Sequence, residues 1–301
     1  MDLNDIFKLY APYIVRLELF PDFKKIKDQN IKLDPSNPMH ISGTGFFIGN
    51  YLVTNFHIFK TVLSIINEVP YQLWTFLYNT RIVPSDVFCK SENTPTTDLM
   101  IGAFKYEKNE ILSSRTGYYS DDIYNDYIIL HFNRVNIDPE QLEEITLSNG
   151  QTIKTFKNVA YKTLEFLSDS QVKIGNEVCF FGYPFGKENL SLHKGIISSI
   201  YKKNDVTVYQ IDGNINNGHS GGPLIDVKTG KIIGIVSRKE NGFTDYFKKI
   251  KSQINAKGVC SDCLKTLISQ MERSANVGIG YAFSSDNIAD NLMMLSKYED
   301  N

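Results

Sequence analysis

The residues best suited to chemistry lie in a glycine-rich segment of the C-terminal half. Residues 218–223 read Gly-His-Ser-Gly-Gly-Pro, so Ser220 lies between glycines. Glycine permits backbone angles with positive φ, which lets the chain turn sharply and leaves the serine hydroxyl exposed. A serine nucleophile with an oxyanion hole of backbone N–H groups requires such a turn. The alternative is a tight β-turn that carries an ordinary surface serine.

A nucleophilic serine needs a base, and the chain contains five histidines. They are His40, His57, His131, His193 and His219. His57 differs from the others because it follows the segment Leu-Val-Thr-Asn-Phe at residues 52–56. A predicted strand that ends in Thr-Asn-x-His holds its histidine at the strand end, where it can face a cleft. We therefore predict that His57 is the base and that the other four are ordinary surface or core residues.

Short apolar runs separated by turn residues must position these groups. The predicted strands of the first half cover residues 13–20, 45–48, 51–54, 71–77, 81–88, 99–104 and 127–132. Those of the second half cover residues 177–181, 195–201, 206–212, 224–226, 231–237 and 280–283. Many short strands with few helices are typical of an all-β barrel or sandwich. The division near residues 135–165 predicts two barrels.

Four segments depart from the strand pattern. Residues 4–12 predict a short helix, and the polar residues 22–40, with two prolines, predict a long loop. Apolar residues at helical spacing predict a helical hairpin inserted at residues 240–276. Residues 284–286, Ser-Ser-Asp, precede an amphipathic pattern and predict a capped C-terminal helix.

Composition bounds the class of protein. The chain has 301 residues, 42% of them hydrophobic and 22% charged, with a net charge of −2, which is typical of globular proteins and shows no nucleic-acid-binding character. The start of the chain is acidic, and no apolar run approaches the roughly 18 residues of a membrane span. Four cysteines are too few for a disulfide framework. We expect a cytoplasmic protein with no nucleic-acid or membrane partner, no cofactor and no metal.

The chain also resembles the trypsin-like serine proteases of the chymotrypsin fold, and among them the bacterial HtrA-like branch, here without a PDZ domain. Residues 43–47 and 54–57 resemble the family's histidine motif, and residues 212–223 resemble its serine motif. Residues 126–130, an acid that opens an apolar strand, resemble its aspartate motif. Further matching segments, in family order, lie at residues 174–178, 182–186, 195–198, 234–237 and 278–282.

The resemblance implies an all-β fold of two six-stranded antiparallel barrels with the active site between them. Residues 1–150 would form the N-terminal barrel, which carries the histidine and the aspartate. Residues 151–301 would form the C-terminal barrel, which carries the serine and the helical insertion at 240–276. The two barrels together would be one catalytic unit.

The resemblance further implies a serine endopeptidase that cleaves protein or peptide substrates through an acyl-enzyme intermediate. Ser220 would attack the scissile carbonyl, His57 would transfer the proton, and Asp126 would orient the imidazole. The backbone N–H groups of Gly218 and Ser220 would form the oxyanion hole. Ser237 would support the aspartate through its hydroxyl.

Two acids are candidates for the aspartate. Asp98 opens an apolar run 41 residues after His57, and Asp126 opens another 69 residues after it. We favour Asp126 because its predicted strand leads directly into the polar segment between the barrels, as the family order requires. Asp98 follows a turn rich in threonine and proline, and it suits the cap of a strand.

The chain departs from the family near the specificity pocket and before the nucleophile. Asn214, six residues before Ser220, would lie at the base of the pocket and offers no carboxylate for a basic substrate side chain. Arg238 and Lys239 would repel cations and favour small, aliphatic or acidic side chains. His219 replaces the usual Asp or Asn. It excludes pairing with a freed N-terminal amine and could disturb the oxyanion turn.

Two other classes of function stay open. A disturbed oxyanion turn would leave a catalytically inactive scaffold of the trypsin fold that only binds peptides, although all three types of triad residue are present. Cys260 and Cys263 form one Cys-x-x-C pair, which without a second ligand pair is a weak indication of zinc. No βαβ pattern of a redox protein surrounds it. The sequence leaves the oligomeric state open.

Overall fold

The fold is seen in a computed structural model. It describes residues 1–28, 30, 32, 39–49, 51–59, 71–77, 80–81, 85–89, 99–101, 104–106, 118–120, 122–131, 144–146, 152–154, 164–239 and 278–299. The predicted hairpin at 240–276, Asp98 and the Cys260/Cys263 pair lie outside these residues. Among the described residues, no helix has the length and hydrophobicity of a membrane span.

The first half of the chain forms one antiparallel sheet of ten strands. The strands are β1 (Ile14–Pro21), β2 (Ile41–Ile48), β3 (Tyr51–Thr54), β4 (Tyr71–Leu77), β5 (Thr80–Arg81), β6 (Ser85–Cys89), β7 (Leu99–Ile101), β8 (Phe104–Tyr106), β9 (Tyr118–Ser120) and β10 (Tyr127–His131). Their order is β8-β7-β6-β4-β1-β2-β3-β10-β9, with β5 beside β4. No pairing among the described residues closes this sheet, so the N-terminal barrel stays a prediction.

The second half contains a closed barrel of six antiparallel strands, as predicted. Its strands are β13 (Glu177–Gly182), β14 (Ser191–Lys203), β15 (Val206–Asp212), β16 (Pro223–Asp226), β17 (Ile232–Lys239) and β18 (Ile279–Ser284), after a small hairpin of β11 (Glu144–Thr146) and β12 (Thr152–Lys154). The barrel closes in the order β13-β14-β15-β18-β17-β16. Each predicted strand of this half is present, and most extend one to four residues beyond the predicted ends.

Strand β13 shows how the sequence divides the core. Its residues Val178 to Phe181 are all apolar and all buried. Since successive side chains of a strand point to opposite faces, Val178 and Phe180 lie in the barrel interior, whereas Cys179 and Phe181 face a second apolar cluster outside it. The continuous apolar run therefore reflects a strand that is buried on both faces.

The outer cluster is shared by the two halves of the chain. It joins Phe46, Val53 and Ile129 of the N-terminal sheet to Phe181 and Ile235 of the barrel. The strands that carry the site are thus packed against one another through a common apolar core.

Among the described residues, helices α1 (Leu3–Tyr10), α2 (Phe23–Asp28) and α3 (Asp286–Glu299) lie beside these sheets. Helix α2 lies within residues 22–40, which were predicted to be a loop, so that prediction was wrong there. The carbonyl of Asp22 accepts the N–H of Ile26 at 2.9 Å, and the buried Ile26 side chain anchors the single turn. Helix α3 begins where predicted, and Ser284 Oγ accepts the N–H of Asp286 at 3.2 Å as its cap.

The first and last helices each contact the opposite half of the chain. The Tyr10 hydroxyl at the end of α1 donates to the carbonyl of Gly230, in the turn between β16 and β17, at 2.7 Å. In α3, Asn291 Nδ2 donates to the hydroxyl of Tyr127 on β10 at 2.7 Å. These two contacts complete the joint between sheet and barrel.

Candidate active site

His57 and Asp126 meet because they flank two paired strands. Strand β3 ends just before His57, β10 begins just after Asp126, and the two strands pair with Thr54 opposite Ile128. The His57 Nδ1 atom lies 2.5 Å from Asp126 Oδ2, and the backbone N–H of His57 donates to Asp126 Oδ1 at 2.9 Å. The imidazole is 44% exposed, so it is open to solvent, whereas the carboxylate is only 11% exposed.

Two further residues hold Asp126 in place. The Ser237 hydroxyl donates to Asp126 Oδ2 at 3.2 Å, and Asn55 Nδ2 donates to the Asp126 carbonyl at 2.6 Å. An ionised carboxylate only accepts hydrogen bonds, so His57 carries its proton on Nδ1 and keeps a lone pair on Nε2. This pair can therefore act as an oriented general base.

The segment around Ser220 is a tight turn that only glycine can form at two positions. Gly218 and Gly221 have φ of 98° and 88°. A Cβ atom at Gly218 would overlap the carbonyl of Tyr183, and one at Gly221 would overlap the carbonyl of Thr44. The glycines thus allow the turn to approach both the barrel and the N-terminal sheet closely.

Thr44 on β2 clamps this turn to the N-terminal sheet. Its N–H donates to the Ser220 carbonyl at 2.9 Å, and its hydroxyl donates to the Gly218 carbonyl at 2.5 Å. The same hydroxyl accepts the N–H of Tyr183, and the Thr44 carbonyl accepts the hydroxyl of Thr54 at 2.7 Å. Sequence reasoning missed this role. Thr44 lies in the segment that resembled the histidine motif, but no local signal distinguishes its hydroxyl.

The Ser220 hydroxyl donates to the backbone carbonyl of Ser237 at 2.8 Å rather than to His57. Ser237 lies at an irregularity in the pairing of β17 with β18, between Val236 and Arg238. Ser220 is therefore connected to His57 through Ser237 and Asp126. The structure brings all four residues into one hydrogen-bonded series.

Two backbone N–H groups lie in the same turn as the Ser220 hydroxyl. In the described part of the chain, neither the N–H of Gly218 nor that of Ser220 has a hydrogen-bond acceptor. Two unpaired donors in one tight turn can stabilise an oxyanion that forms beside Ser220.

His219 lies beneath this turn and is fully buried. Its Nδ1 atom lies 2.9 Å from the backbone nitrogen of Asn216, whose N–H points toward it. Burial, with a smaller effect of the neighbouring His193, lowers the pKa of His219 to about 4. The ring is therefore uncharged near neutral pH, and it is bonded to the turn that it was expected to disturb.

Of the three predicted pocket residues, Asn214 and Arg238 have described side chains. Asn214 is exposed, and its Oδ1 atom accepts Asn216 Nδ2 at 3.3 Å. The Arg238 guanidinium lies over the rings of Tyr124, Tyr281 and Phe283, at 5.3, 5.5 and 5.9 Å from their centroids. Lys239 ends β17, and its side chain lies outside the described residues. The roles of these residues in specificity stay predictions.

The described residues contain no group of three or more His, Cys, Asp or Glu side chains that could hold a metal ion. Cys179, the one described free thiol, is buried in the core, and burial raises its pKa to about 12. Its sulfur is thus an uncharged core atom, neither ligand nor nucleophile.

Comparison with known proteins adds to this geometry. A family model described as a trypsin-like peptidase domain matches residues 43–235. The serine protease Do-like HtrB of Bacillus subtilis is 39% identical over 93 residues, which cover 28% of this chain and 20% of that protein. A probable periplasmic serine endoprotease DegP-like of Rickettsia prowazekii is 26% identical over 172 residues, which cover 52% of this chain and 32% of that protein. The chain thus spans less than a third of the length of these relatives.

Solved structures show the same fold. The HtrA-type protease AlgW with a tripeptide matches 98% of this chain and 63% of its own, with a TM-score of 0.50 and 15% identity. A variant of that protease with a decapeptide matches 99% of this chain and 68% of its own, with a TM-score of 0.51 and 14% identity.

Proposed function

The chain belongs to the trypsin-like peptidase family, and on this premise we propose that it is an HtrA-like serine endopeptidase that hydrolyses protein or peptide substrates. The observation that carries the proposal is the series of hydrogen bonds from His57 through Asp126 and Ser237 to Ser220, beside two unpaired backbone donors. A surface serine in an ordinary β-turn needs none of these partners.

In the proposed mechanism, Ser220 Oγ attacks the scissile carbonyl carbon while its proton passes to His57 Nε2. The carbonyl oxygen becomes an oxyanion, which the N–H groups of Gly218 and Ser220 stabilise. His57 then protonates the leaving amine as the C–N bond breaks, and an acyl-enzyme remains. Water, deprotonated by His57, hydrolyses the acyl-enzyme and restores the serine. Asp126 holds the imidazole and stabilises its positive charge throughout.

The proposal extends to the architecture around the site. We propose that the N-terminal sheet closes as a second six-stranded barrel and that residues 1–150 and 151–301 act as one catalytic unit. The apolar core shared by the two halves supports the single catalytic unit. The insertion at 240–276, between β17 and β18, would regulate substrate access. The cytoplasmic location stays a prediction from the sequence.

One observation favours a second function, an inactive scaffold that binds peptides. The Ser220 hydroxyl is bonded to the Ser237 carbonyl instead of the base. A serine fixed in this position would not react, although the cleft could still bind an extended peptide.

Labelling with a fluorophosphonate probe separates the two functions. We expect the probe to modify one serine, Ser220, with labelling lost in Ser220→Ala and strongly slowed in His57→Ala. Ser198, an exposed serine whose hydroxyl donates to the Gln210 carbonyl, provides the matched control, and Ser198→Ala should label normally. A folded protein that binds peptides but takes up no probe would identify the scaffold. Labelling that survives Ser220→Ala would refute the assignment of the nucleophile.

A further inference from the structure

The ring of His219 is closely packed by its neighbours. It packs edge to face against His193, with centroids 4.6 Å apart, and against Phe180, with centroids 5.4 Å apart. Gly182 on β13 lies directly beneath, where a Cβ atom would come within 2.6 Å of the ring. A histidine that merely filled space would not need the hydrogen bond that its Nδ1 atom makes.

The position of the ring proton follows from the neighbours of Nδ1. This atom lies 2.9 Å from the nitrogen and 3.1 Å from the oxygen of Asn216. The Asn216 oxygen already accepts the backbone N–H of His219 at 3.1 Å, whereas the Asn216 N–H points at the ring nitrogen. A lone pair on Nδ1 satisfies that N–H, and we infer that the neutral ring carries its proton on Nε2, which is buried and has no hydrogen-bond partner among the described residues.

Two hydrogen bonds hold the peptide groups between Asn216 and Ser220: the Asn216 N–H donates to His219 Nδ1, and the His219 N–H donates to the Asn216 oxygen. The Asn217 carbonyl is turned toward the N–H of Phe185, which it accepts at 2.7 Å, and the His219 carbonyl accepts the N–H of Gly222 at 3.0 Å. In a trans peptide the C=O and N–H groups point in opposite directions. The N–H groups of Gly218 and Ser220 therefore point away from these internal partners.

We propose that His219 is a positioning residue for the oxyanion hole, and that its neutral imidazole accepts the Asn216 N–H and so holds the donors of Gly218 and Ser220 in place. This inference rests on the proposed peptidase function. His219 does not touch the substrate, and it acts only through the turn. Protonation of Nδ1 removes the lone pair that accepts the Asn216 N–H and leaves only donation from Nδ1 to the Asn216 oxygen 3.1 Å away, so acid would change the bonding of the turn.

Burial and the titratable group near His219 determine the pH at which its ring is protonated. Among the described residues, the titratable group whose charge affects the pKa of His219 is His193 on β14, and the contacts from β13 include the Phe180 ring and Gly182. Burial also lowers the pKa of His193. Both imidazoles are thus uncharged near neutral pH, and protonation of either opposes protonation of the other.

The kinetic test compares two amides at position 219. The side-chain oxygen of His219→Asn can occupy the position of Nδ1, whereas that of His219→Gln corresponds to Nε2 and removes the acceptor that Nδ1 offers to the Asn216 N–H. The phosphoryl oxygen of a fluorophosphonate occupies an oxyanion hole, so its labelling of Ser220 measures the hole without a known substrate. We expect His219→Gln to lower the maximal labelling rate about 100- to 1000-fold with little change in probe affinity, and His219→Asn to stay within about tenfold of the natural protein.

The dependence of the labelling rate on pH in the acidic range gives a second kinetic test. Below about pH 5 the labelling rate of the natural protein should fall more steeply than that of His219→Asn, whose amide does not titrate. Equal rates and equal pH profiles for the natural protein and the two amide variants would overturn the inference while the proposed function stands. If the natural protein is not labelled at all, the proposed function is wrong, and His219 has no role in catalysis.

A spectroscopic test does not depend on activity. In the full chain with ¹⁵N-labelled histidine, two-bond ¹H–¹⁵N spectra distinguish the two ring tautomers, and His219→Asn identifies the His219 signals. The inference predicts a proton on Nε2 and an unprotonated Nδ1 at neutral pH, in the natural protein and in Ser220→Ala alike. A proton on Nδ1 would contradict it.

Discussion

The carboxylate of Asp126 accepts hydrogen bonds from both the backbone and the ring of His57, and a third from Ser237. The sequence predicted His57 from its strand-end context and Ser220 from its glycines, but it left Asp98 and Asp126 as alternatives. Both acids open apolar runs, and the sequence favoured Asp126 for its place before the segment between the barrels; the pairing of β3 with β10 places Asp126 beside His57, whereas Asp98 lies outside the described residues. Long-range strand pairing of this kind is not encoded in a local pattern.

Asp126→Asn should therefore cost far more activity than Asp98→Asn. An amide at position 126 can donate to Nδ1 and so favour the wrong imidazole tautomer, and losses of about 10⁴-fold are typical of that change. Ser237→Ala should cost much less, because it removes one hydroxyl and keeps both contacts of Asp126 with His57. Rates of probe labelling, compared with thermal stability, would test this order. A larger loss in Asp98→Asn would move the aspartate role to that residue.

His219 should also make the stability of the fold depend on pH. An unfolded histidine binds a proton near pH 6.5, whereas in the folded protein the pKa of His219 is lowered to about 4 by burial. Its neutral form is favoured by the folded state, so stability is fully present above about pH 6.5. It falls as the pH decreases and stops falling below about pH 4. Urea midpoints at pH 7 and pH 4.5 should thus differ less in His219→Asn than in the natural protein. An identical difference would contradict the assignment.

At the scale of elements, the strands of the barrel could be predicted from the sequence, whereas the hydrogen bonds by which Thr44 holds the turn at residues 218–221 could not. Alternating and continuous apolar runs gave the strands of the barrel, because burial of one or both faces determines which positions are apolar. The short helix α2 was missed, since its turn depends on the burial of Ile26. The bonds of Thr44 were missed because they join residues 174 and 176 positions apart.

Gly221→Ala and Gly175→Ala form a matched pair that separates backbone strain from lost contact. Both glycines have nearly the same φ, 88° and 89°. A Cβ atom at Gly175 has no atom within 4 Å, whereas one at Gly221 would overlap Thr44. We expect Gly175→Ala to cost only about 1–2 kcal/mol of the free energy of unfolding, with normal probe labelling. Gly221→Ala should cost more and abolish labelling. Equal effects would show that the approach of Thr44 is unimportant.

At the scale of the whole molecule, the chain halves are joined at their ends as well as at their core. The end of α1 bonds to the barrel, α3 bonds to the N-terminal sheet, and one apolar cluster includes side chains from both. The sequence predicted the two terminal helices but not where they pack, because amphipathic spacing specifies a buried face and not its partner. The insertion at 240–276 and the Cys260/Cys263 pair stay predictions.

This shared core predicts a single cooperative unfolding transition. Tyr10→Phe removes the bond to Gly230 and should lower the free energy of unfolding by about 1 kcal/mol without splitting the transition. Far-UV circular dichroism and tyrosine fluorescence should give the same midpoint in both proteins. Two separated midpoints would show that sheet and barrel unfold independently.

In the proposed mechanism, the hydrogen bond from Ser220 to the Ser237 carbonyl determines in what fraction of the molecules the hydroxyl is free to attack. A neutral hydrogen bond contributes about 1 kcal/mol, which corresponds to roughly a fivefold excess of the resting rotamer over the attacking one. A peptide that donates its own N–H to that carbonyl would displace the hydroxyl and so remove the fivefold preference for the resting rotamer. A small reagent without an N–H would not. Occupancy of the cleft thus primes the serine, and the ranking of covalent inhibitors for this protein should follow their ability to replace that one bond.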